Sequence, residues 1–522
     1  MSNKKSYDAK KISLILFPQE LFNKEIVLKE ISKKTSILEQ EIKDFRIIRQ
    51  SIDARKSVKY NVEIEYILKE EKFQLLNKDF TFRDVTNSES IIIVGAGPAG
   101  YFAAIECLLQ GIKPIIFERG KSVDERKFDI SKINSNETLN FDSNYVFGEG
   151  GAGTYSDGKL FTRSKKRGDN NKILQLLHFF GAEESVLIES HPHIGTDKLH
   201  DILQNIRKKI IDCGGEIYFN SKVVDLLINN EQLNGIKLEN GEEFQSNFVI
   251  LATGHSARDV YEFLYRNHVQ ITNKNFAMGI RVEHPQELID KIQYKQPHGE
   301  FLPPASYNLV KQINGRGVYS FCMCPGGTIV NSSSESNSIV VNGMSNSKRN
   351  SPYANSGIVV EIREEDCLGF SENKIFSGSN FQKEFENLAY RNAASNLKAP
   401  AQRLTDFVAG KISRSLPECS YTPGLINSPL HFWLPEIIRK HLQLGFLEFN
   451  KQMRGFLTNE AVIVGVESRT SSPVKIERDK VSLSTNIKGL YACGEGAGFA
   501  GGIVSSAIDA QNVVMKIVVE IR

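Results

Sequence analysis

Three strings in the chain share the spacing G-x-G-x-x-G: Gly95/Gly97/Gly100, Gly148/Gly150/Gly153 and Gly496/Gly498/Gly501. The bare string is weak evidence, since one chain holds three copies. Only the first has the context that phosphate chemistry needs. It follows the apolar run Ile91-Ile92-Ile93-Val94 and opens a helical stretch from Ala99 to Leu109. A second strand, Pro114 to Phe117, then ends on an acid, Glu118. In that setting Gly95 permits a tight turn, Gly97 lets backbone approach a pyrophosphate, and Gly100 lets helix pack on strand. The helix start offers free N–H groups and a partial positive charge to the diphosphate. Glu118 is expected to accept hydrogen bonds from ribose hydroxyls, and its charge disfavours a 2′-phosphate, hence NADP.

NAD and FAD both satisfy that fingerprint, and the far end of the chain separates them. Gly489-Leu490-Tyr491-Ala492-Cys493-Gly494-Glu495-Gly496 leads into a helix that starts at Gly501-Gly502-Ile503. A strand, a Gly-acid pair and a Gly-rich helix start make a second anion site. A flavin needs such a site because its ribityl phosphate and pyrimidine edge lie far from the adenosine. A simple NAD dehydrogenase does not.

These residues resemble the two-dinucleotide-binding-domain flavoproteins. More narrowly, the chain resembles the uncharacterised bacterial FAD-dependent dehydrogenases, on motifs long enough to be specific. V-G-x-G-P-A-G stands at Val94 to Gly100 (with Pro98 and Ala99), F-G-E-G-G-A-G-T-x-S-D-G-K-L at Phe147 to Leu160 and A-T-G-H-S-A-R-D at Ala252 to Asp259. C-M-C-P-G-G follows at Cys322 to Gly327, and E-x-R-T-S-S-P at Glu467 to Pro473. The resemblance covers nearly the whole chain and implies non-covalent FAD but no particular substrate. By it, Gly150, Gly151 and Gly153 belong to a loop over the diphosphate and flavin. Val223 should touch adenine through its backbone, Thr253-Gly254 should pass near the cofactor, and Glu495 should bond ribityl or phosphate hydroxyls. Arg119, Gly494, Gly502 and Ile503 complete the cofactor set.

Residues for the reaction are harder to choose. Cys322 and Cys324 form a C-x-C pair whose thiols would point to one side of a strand and could face the flavin. Their spacing also suits two small residues packed under the turn Pro325-Gly326-Gly327. His255 could donate a proton beside the cofactor, or satisfy backbone carbonyls as a loop histidine. Glu467 and Arg469 are placed to line the site or to brace a loop as an ion pair. Arg281, Glu283 and His284 could bind an acidic substrate, or alternate on a strand face. No metal site is expected, because the seven cysteines match no zinc spacing.

The elements that must position these groups suggest an α/β protein. Its expected parts are a Rossmann-like FAD/NAD(P)-binding domain, an inserted mixed-β cap or substrate domain, and a small N-terminal α+β domain, ferredoxin-like in type. The expected boundaries are 1–86 for the N-terminal domain, 88–268 for the first FAD-binding segment, 269–455 for the cap and 456–522 for the second FAD-binding segment. In the N-terminal domain a strand at Lys11 to Phe17 and a helix from Leu21 to Leu38 precede strands near Phe45 to Ile48 and Tyr60 to Leu68. Tyr60, Val62, Ile64, Tyr66 and Leu68 alternate with Asn61, Glu63 and Glu65.

The 522 residues, 40% hydrophobic and 24% charged, exclude disorder and a disulfide scaffold. The net charge of +3 averages a basic N-terminal end and a slightly acidic remainder. No signal peptide or apolar span of membrane length is evident, so a cytoplasmic protein is expected. The expected function is an FAD-dependent oxidoreductase, a dehydrogenase with a small-molecule substrate, NADH being at most a transient donor. Two alternatives remain open. One is a flavin-dependent RNA-modifying enzyme using Arg46, Arg49, Arg55, Lys56 and Lys59 of the basic domain; the other is a non-catalytic redox-sensing flavoprotein.

Overall fold

The computed structural model describes residues 10–73, 79–162 and 168–522. At the N-terminal end three antiparallel strands pair in the order Lys10–Leu16, Lys59–Leu68, Ile42–Asp53. The expected helix from Leu21 to Leu38 divides at Asn23, whose side chain accepts the N–H groups of Glu25 and Ile26 and so starts a new helix, Lys24–Thr35. The alternation in the central strand holds from Tyr60 to Ile64 and then stops, Glu65, Tyr66 and Ile67 all being buried. Glu65 goes inside with Arg46, which reaches it across the strand pair at 2.6 Å. A ferredoxin-like fold needs a second helix and a fourth strand. The described residues from Leu68 to Ser90 supply neither, so this part of the expectation is corrected to a three-stranded sheet with one helical layer.

The apolar run at 91–94 forms the centre of a five-stranded, wholly parallel sheet. Its order is Leu490–Ala492, Val249–Leu251, Ser90–Val94, Lys113–Phe117, Glu216–Tyr218. Strands buried on both faces need to be apolar throughout, and Ile91, Ile92, Ile93 and Val94 are. One face carries the helices Pro98–Gln110 and Ile503–Ile521, packed on each other through small and branched residues such as Ala103, Ala507 and Val514. The other carries the helix Arg258–Arg266 and the hairpin Val223–Asn229/Gln232–Leu238, which gains a third strand, Glu243–Gln245.

Residues 276–467 build a seven-stranded mixed sheet. Its order is 310–313, 316–324, 353–362, 276–285, 462–467, 399–403, 425–427. The helix Glu436–Gln452 covers it, burying Leu442, Phe446 and Phe449. Beside it, the strand Val341–Ser345 pairs with Gly327–Asn331. One boundary also moves. Val462–Glu467 pairs with Phe276–Pro285 and Ala399–Arg403 inside this sheet, so the chain rejoins the parallel sheet only at Leu490, not at 456. Among the described residues no helix is long and apolar enough to cross a membrane.

Candidate functional site

The turn after Val94 is built as its glycines require. Gly95 has φ +104°, and a Cβ there would stand 2.6 Å from the carbonyl oxygen of Ala252. Gly100 presses on the same turn, where a Cβ would lie 1.9 Å from the Gly95 oxygen. Gly97 caps the helix Pro98–Gln110 and Gly502 caps Ile503–Ile521. Because these two helices pack together, both N-termini open on one cavity of about 480 Å³. A diphosphate and a second phosphate-linked group can therefore meet two positive helix poles in one place.

The walls leave bare backbone where a flat, charged cofactor would lie. A Cβ on Gly97 would meet only Gly151, at 3.9 Å, and one on Gly254 would meet no atom within 4 Å. A Cβ on Gly501 would meet only a Glu495 oxygen at 3.6 Å, and one on Gly502 only the Ser505 hydroxyl at 4.0 Å. Such a cradle fits FAD.

Glu118 lines the cavity, and its buried carboxylate accepts backbone N–H groups from Ala96 at 2.8 Å, Gly120 at 2.9 Å and Gly148 at 3.0 Å. A carboxylate has about four lone-pair sites, so these bonds leave little capacity for ribose. Glu118 ties the first glycine turn to the second glycine string as well as bordering the cofactor space. Behind it, Arg126 is fully buried and donates to the carbonyls of Asn144 at 2.7 Å and Glu149 at 2.8 Å. Burial pushes its guanidinium down to about 10.

Of the other expected cofactor residues, Gly95, Gly97, Pro98, Ala99, Gly151, Gly153, Thr253, Gly254, Glu495, Gly502 and Ile503 line the cavity. Gly100, Arg119, Gly150, Val223 and Gly494 do not. Gly150 packs on Thr154 and Leu203, and Arg119 lies over the Phe147 ring at 4.5 Å while pairing with Asp259. The Gly494 N–H is taken by Asp509 at 2.8 Å.

Among the reaction candidates, His255, Glu467 and Arg469 line the cavity, and so does Cys322; Cys324 does not. The Nε2–H of His255 donates to the carbonyl of Arg469 at 3.1 Å, which leaves Nδ1 facing a Glu495 oxygen at 3.6 Å. Both earlier roles for this histidine are thus compatible with its placement: it satisfies a carbonyl and keeps one nitrogen toward the site. Glu467 and Arg469 are both braced, by different partners. Arg281 holds Glu467 at 2.8 and 3.0 Å, and Arg469 meets Glu386 at 3.0 Å.

The Arg281, Glu283 and His284 group does not reach the cavity. Glu283 accepts the Ser420 N–H at 2.7 Å and His284 donates to the Phe456 carbonyl at 2.8 Å, so the cluster is internal to the sheet. Lys159, Phe321 and Asn342 complete the wall opposite the helix ends. Lys159 sits within the F-G-E-G-G-A-G-T-x-S-D-G-K-L run, and its charge beside so many glycines was the available signal. Phe321 and Asn342 gave none, because their place depends on how distant strands pair.

The comparisons with known proteins agree with this geometry on the cofactor. Residues 275–470 match the family described as FAD-dependent protein, C-terminal domain-like, and residues 8–66 match a domain of unknown function. FAD is the cofactor, as the sequence led one to expect. An uncharacterized protein of Clostridium beijerinckii is 40% identical over 514 residues, covering 94% of this chain and 96% of its own. The chain belongs to the same family as that protein. Solved structures with a similar course include the tetracycline destructase Tet(51), at 11% identity and TM-score 0.34 over 83% of this chain and 82% of that one. Another is CtdE in complex with FAD, at 12% identity and TM-score 0.31 over 83% and 84%. A third is the flavin-dependent brominase Bmp2, at 12% identity and TM-score 0.36 over 83% and 80%.

Proposed function

We propose that the protein is an FAD-dependent oxidoreductase, a dehydrogenase acting on a small molecule that enters between the parallel sheet and the seven-stranded sheet. The observation that carries this reading is the shared cavity. Two helix N-termini and their glycine cradle form one side, and the opposite wall bears polar and aromatic side chains, Lys159, Asn342 and Phe321 among them. Bound there, the flavin supplies two-electron or hydride transfer. The chain supplies orientation, water exclusion and a proton position. Glu118 fixes the two glycine turns, Tyr155 and Phe161 give the substrate space an apolar side, and His255 holds a nitrogen toward Glu495 where a proton can be kept or given.

NADH, if it serves as donor, binds transiently at the cavity mouth. An RNA substrate is the weaker reading. Arg46 is paired with Glu65, Arg55 with Asp53 at the surface, and Lys59 lies over Phe17, so part of the basic charge is already met within the chain. The test is anaerobic reduction of the purified yellow protein with NADH, NADPH and a metabolite library, read by bleaching of the flavin band. Multiple turnovers with one donor and an acceptor support an enzyme. A flavin that is reduced without turnover would point instead to redox sensing, and an FAD-loaded protein that no donor reduces to scaffolding.

A further inference from the structure

Cys322 and Cys324 stand where the strand Arg316–Cys324 breaks its register, at a bulge between Phe321 and Cys324. Cys322 takes φ +46°, a left-handed conformation that costs a residue with a side chain on the order of 1 kcal/mol or more. In a regular strand, residues two apart have Cα atoms roughly 6.6 Å apart, the upper edge of what a disulfide spans. Here the bulge folds the chain back. The Cys324 thiol donates to the Cys322 carbonyl at 3.3 Å. Cys322 faces the cavity, while Cys324 is buried beneath Gly327, where a Cβ would come within 2.9 Å of the Cys324 Cβ. Both packing under the glycine turn and exposure to the cofactor space are present, one in each cysteine.

Two cations flank the pair. Lys159, itself lining the cavity, donates to the Met323 carbonyl between the two cysteines. From the other side Arg281 Nη1 donates to the Cys322 carbonyl at 3.3 Å. The neighbouring Cys324 thiol lowers the Cys322 thiol, and Lys159 and Arg281 add to this against the effect of burial; Cys324 is pushed up in return. The more acidic thiol is the one that meets the cavity.

We propose that Cys322 and Cys324 are a second two-electron centre, a dithiol/disulfide pair that exchanges electrons with the FAD across the shared cavity. The proposal rests on the oxidoreductase reading above. In the oxidising direction both S–H bonds are lost and one S–S bond forms. The electron pair and one proton pass to oxidised FAD, which is the oxidant, and the second proton leaves to solvent. In the opposite direction reduced FAD opens the disulfide and both sulfurs are reprotonated. Cys322 is the sulfur at the flavin face and Cys324 the buried resolving partner.

The test counts electrons and maps sulfur separately. The holoprotein, oxidised with the thiol oxidant diamide and freed of excess, is titrated anaerobically with dithionite. Uptake of two electron pairs per FAD is expected for the native chain and half of that for Cys324→Ser. In parallel, the oxidised chain is alkylated and digested, and the 322–324 peptide should be lighter by two hydrogens and unalkylated, in apoprotein and holoprotein alike. One electron pair per FAD together with full alkylation of both cysteines overturns the proposal while leaving the oxidoreductase reading intact. A disulfide in the peptide map of a protein whose flavin no donor reduces overturns that reading instead. Should Cys324→Ser fail to fold, Cys322→Ser, whose hydroxyl lies against the cavity rather than the core, gives the same halving.

Discussion

Arg281 and Glu467 lie side by side with almost no solvent exposure, joined by two parallel hydrogen bonds of 2.8 and 3.0 Å between adjacent strands. Arg281 also donates to Asn355 at 2.6 Å and Asn342 at 3.1 Å, and so fixes a residue of the cavity wall. Burial raises the Glu467 carboxyl and the guanidinium opposes it. Replacing Arg281 with Met leaves a buried carboxylate without its partner. The expected cost is about 3–5 kcal/mol, measured by urea unfolding. Replacing both residues together, Arg281→Met with Glu467→Leu, is expected to recover most of that loss. A double variant no more stable than the single would show that the pair is not the source.

Two glycines of the same string should fail differently. A methyl on Gly100 collides with the Gly95 carbonyl inside the turn, whereas a methyl on Gly97 projects into the cofactor cradle. Gly97→Ala is therefore expected to fold with a near-native melting temperature but to hold FAD at least about tenfold more weakly, about 1.4 kcal/mol. Gly100→Ala is expected to lose about 1–3 kcal/mol of stability or more from overpacking. Fluorescence titration of apoprotein with FAD and thermal melts separate the two outcomes.

Glu118 makes a third case. Its carboxylate satisfies three buried N–H groups, so Glu118→Ala orphans donors at both glycine turns. A loss of at least about 2 kcal/mol is expected, since each buried unsatisfied group costs about 1–3 kcal/mol. Glu118→Gln keeps one acceptor oxygen and should lose less. Equal melting temperatures for Ala and native chains would refute the role.

The parts of the site legible in the sequence are those made by neighbours in sequence. The apolar strand at 91–94, the turn at Gly95 and the helix start at Gly502 follow from local sterics and hydrogen bonding, and short runs of residues carry that information. What was not legible depends on strand pairing over long distances. Arg281 and Glu467 are 186 positions apart, and nothing near either one names the other. The same holds for Glu386, reached by Arg258 from one side and Arg469 from the other. Glu65 shows the smaller version: period-2 alternation put it in solvent, and a cross-strand arginine took it inside. The ferredoxin-like expectation failed because strand and helix order alone does not say whether a second βαβ unit follows.

The buried His284 predicts a pH effect with a definite sign. Burial pushes its imidazole down to about 4, with Nε2–H donating to the Phe456 carbonyl and Nδ1 left without a partner. In the unfolded chain the ring titrates near 6.5. Below that value the unfolded state binds a proton that the folded state refuses, so stability falls with falling pH between about 6.5 and 4. The full loss is about 3 kcal/mol. Urea midpoints measured across that range should drop for the native chain and flatten for His284→Gln. A flat native profile would mean that the ring can charge without unfolding.

The last prediction concerns the joint between the two sheets. Glu386, fully buried on the helix Ser377–Arg391, accepts from Arg258 at 2.9 and 3.0 Å and from Arg469 at 3.0 and 3.2 Å; the Ser468 hydroxyl adds a bond of 2.6 Å. Arg258 starts a helix packed on the parallel sheet, while Arg469 follows a strand of the seven-stranded sheet. Burial works to raise the Glu386 carboxyl, but the two guanidinium groups outweigh it and hold the group well below the ordinary carboxylate range. A depressed acid stabilises the fold above its unfolded pKa, about 4.3, and loses that contribution as pH falls toward the folded value. Acid should therefore loosen this joint after His284 has already begun to weaken the fold. Glu386→Gln removes the charge at every pH and leaves two buried arginines facing a neutral amide. Its expected cost at neutral pH is about 3–5 kcal/mol, with the loss of stability below about pH 4 reduced relative to the native chain. Because Arg469 also holds His255 through its carbonyl, the same variant should release FAD faster, and the rate of flavin fluorescence recovery on dilution measures that. Unchanged FAD release in a variant that is clearly destabilised would confine Glu386 to the joint and detach it from the cofactor site.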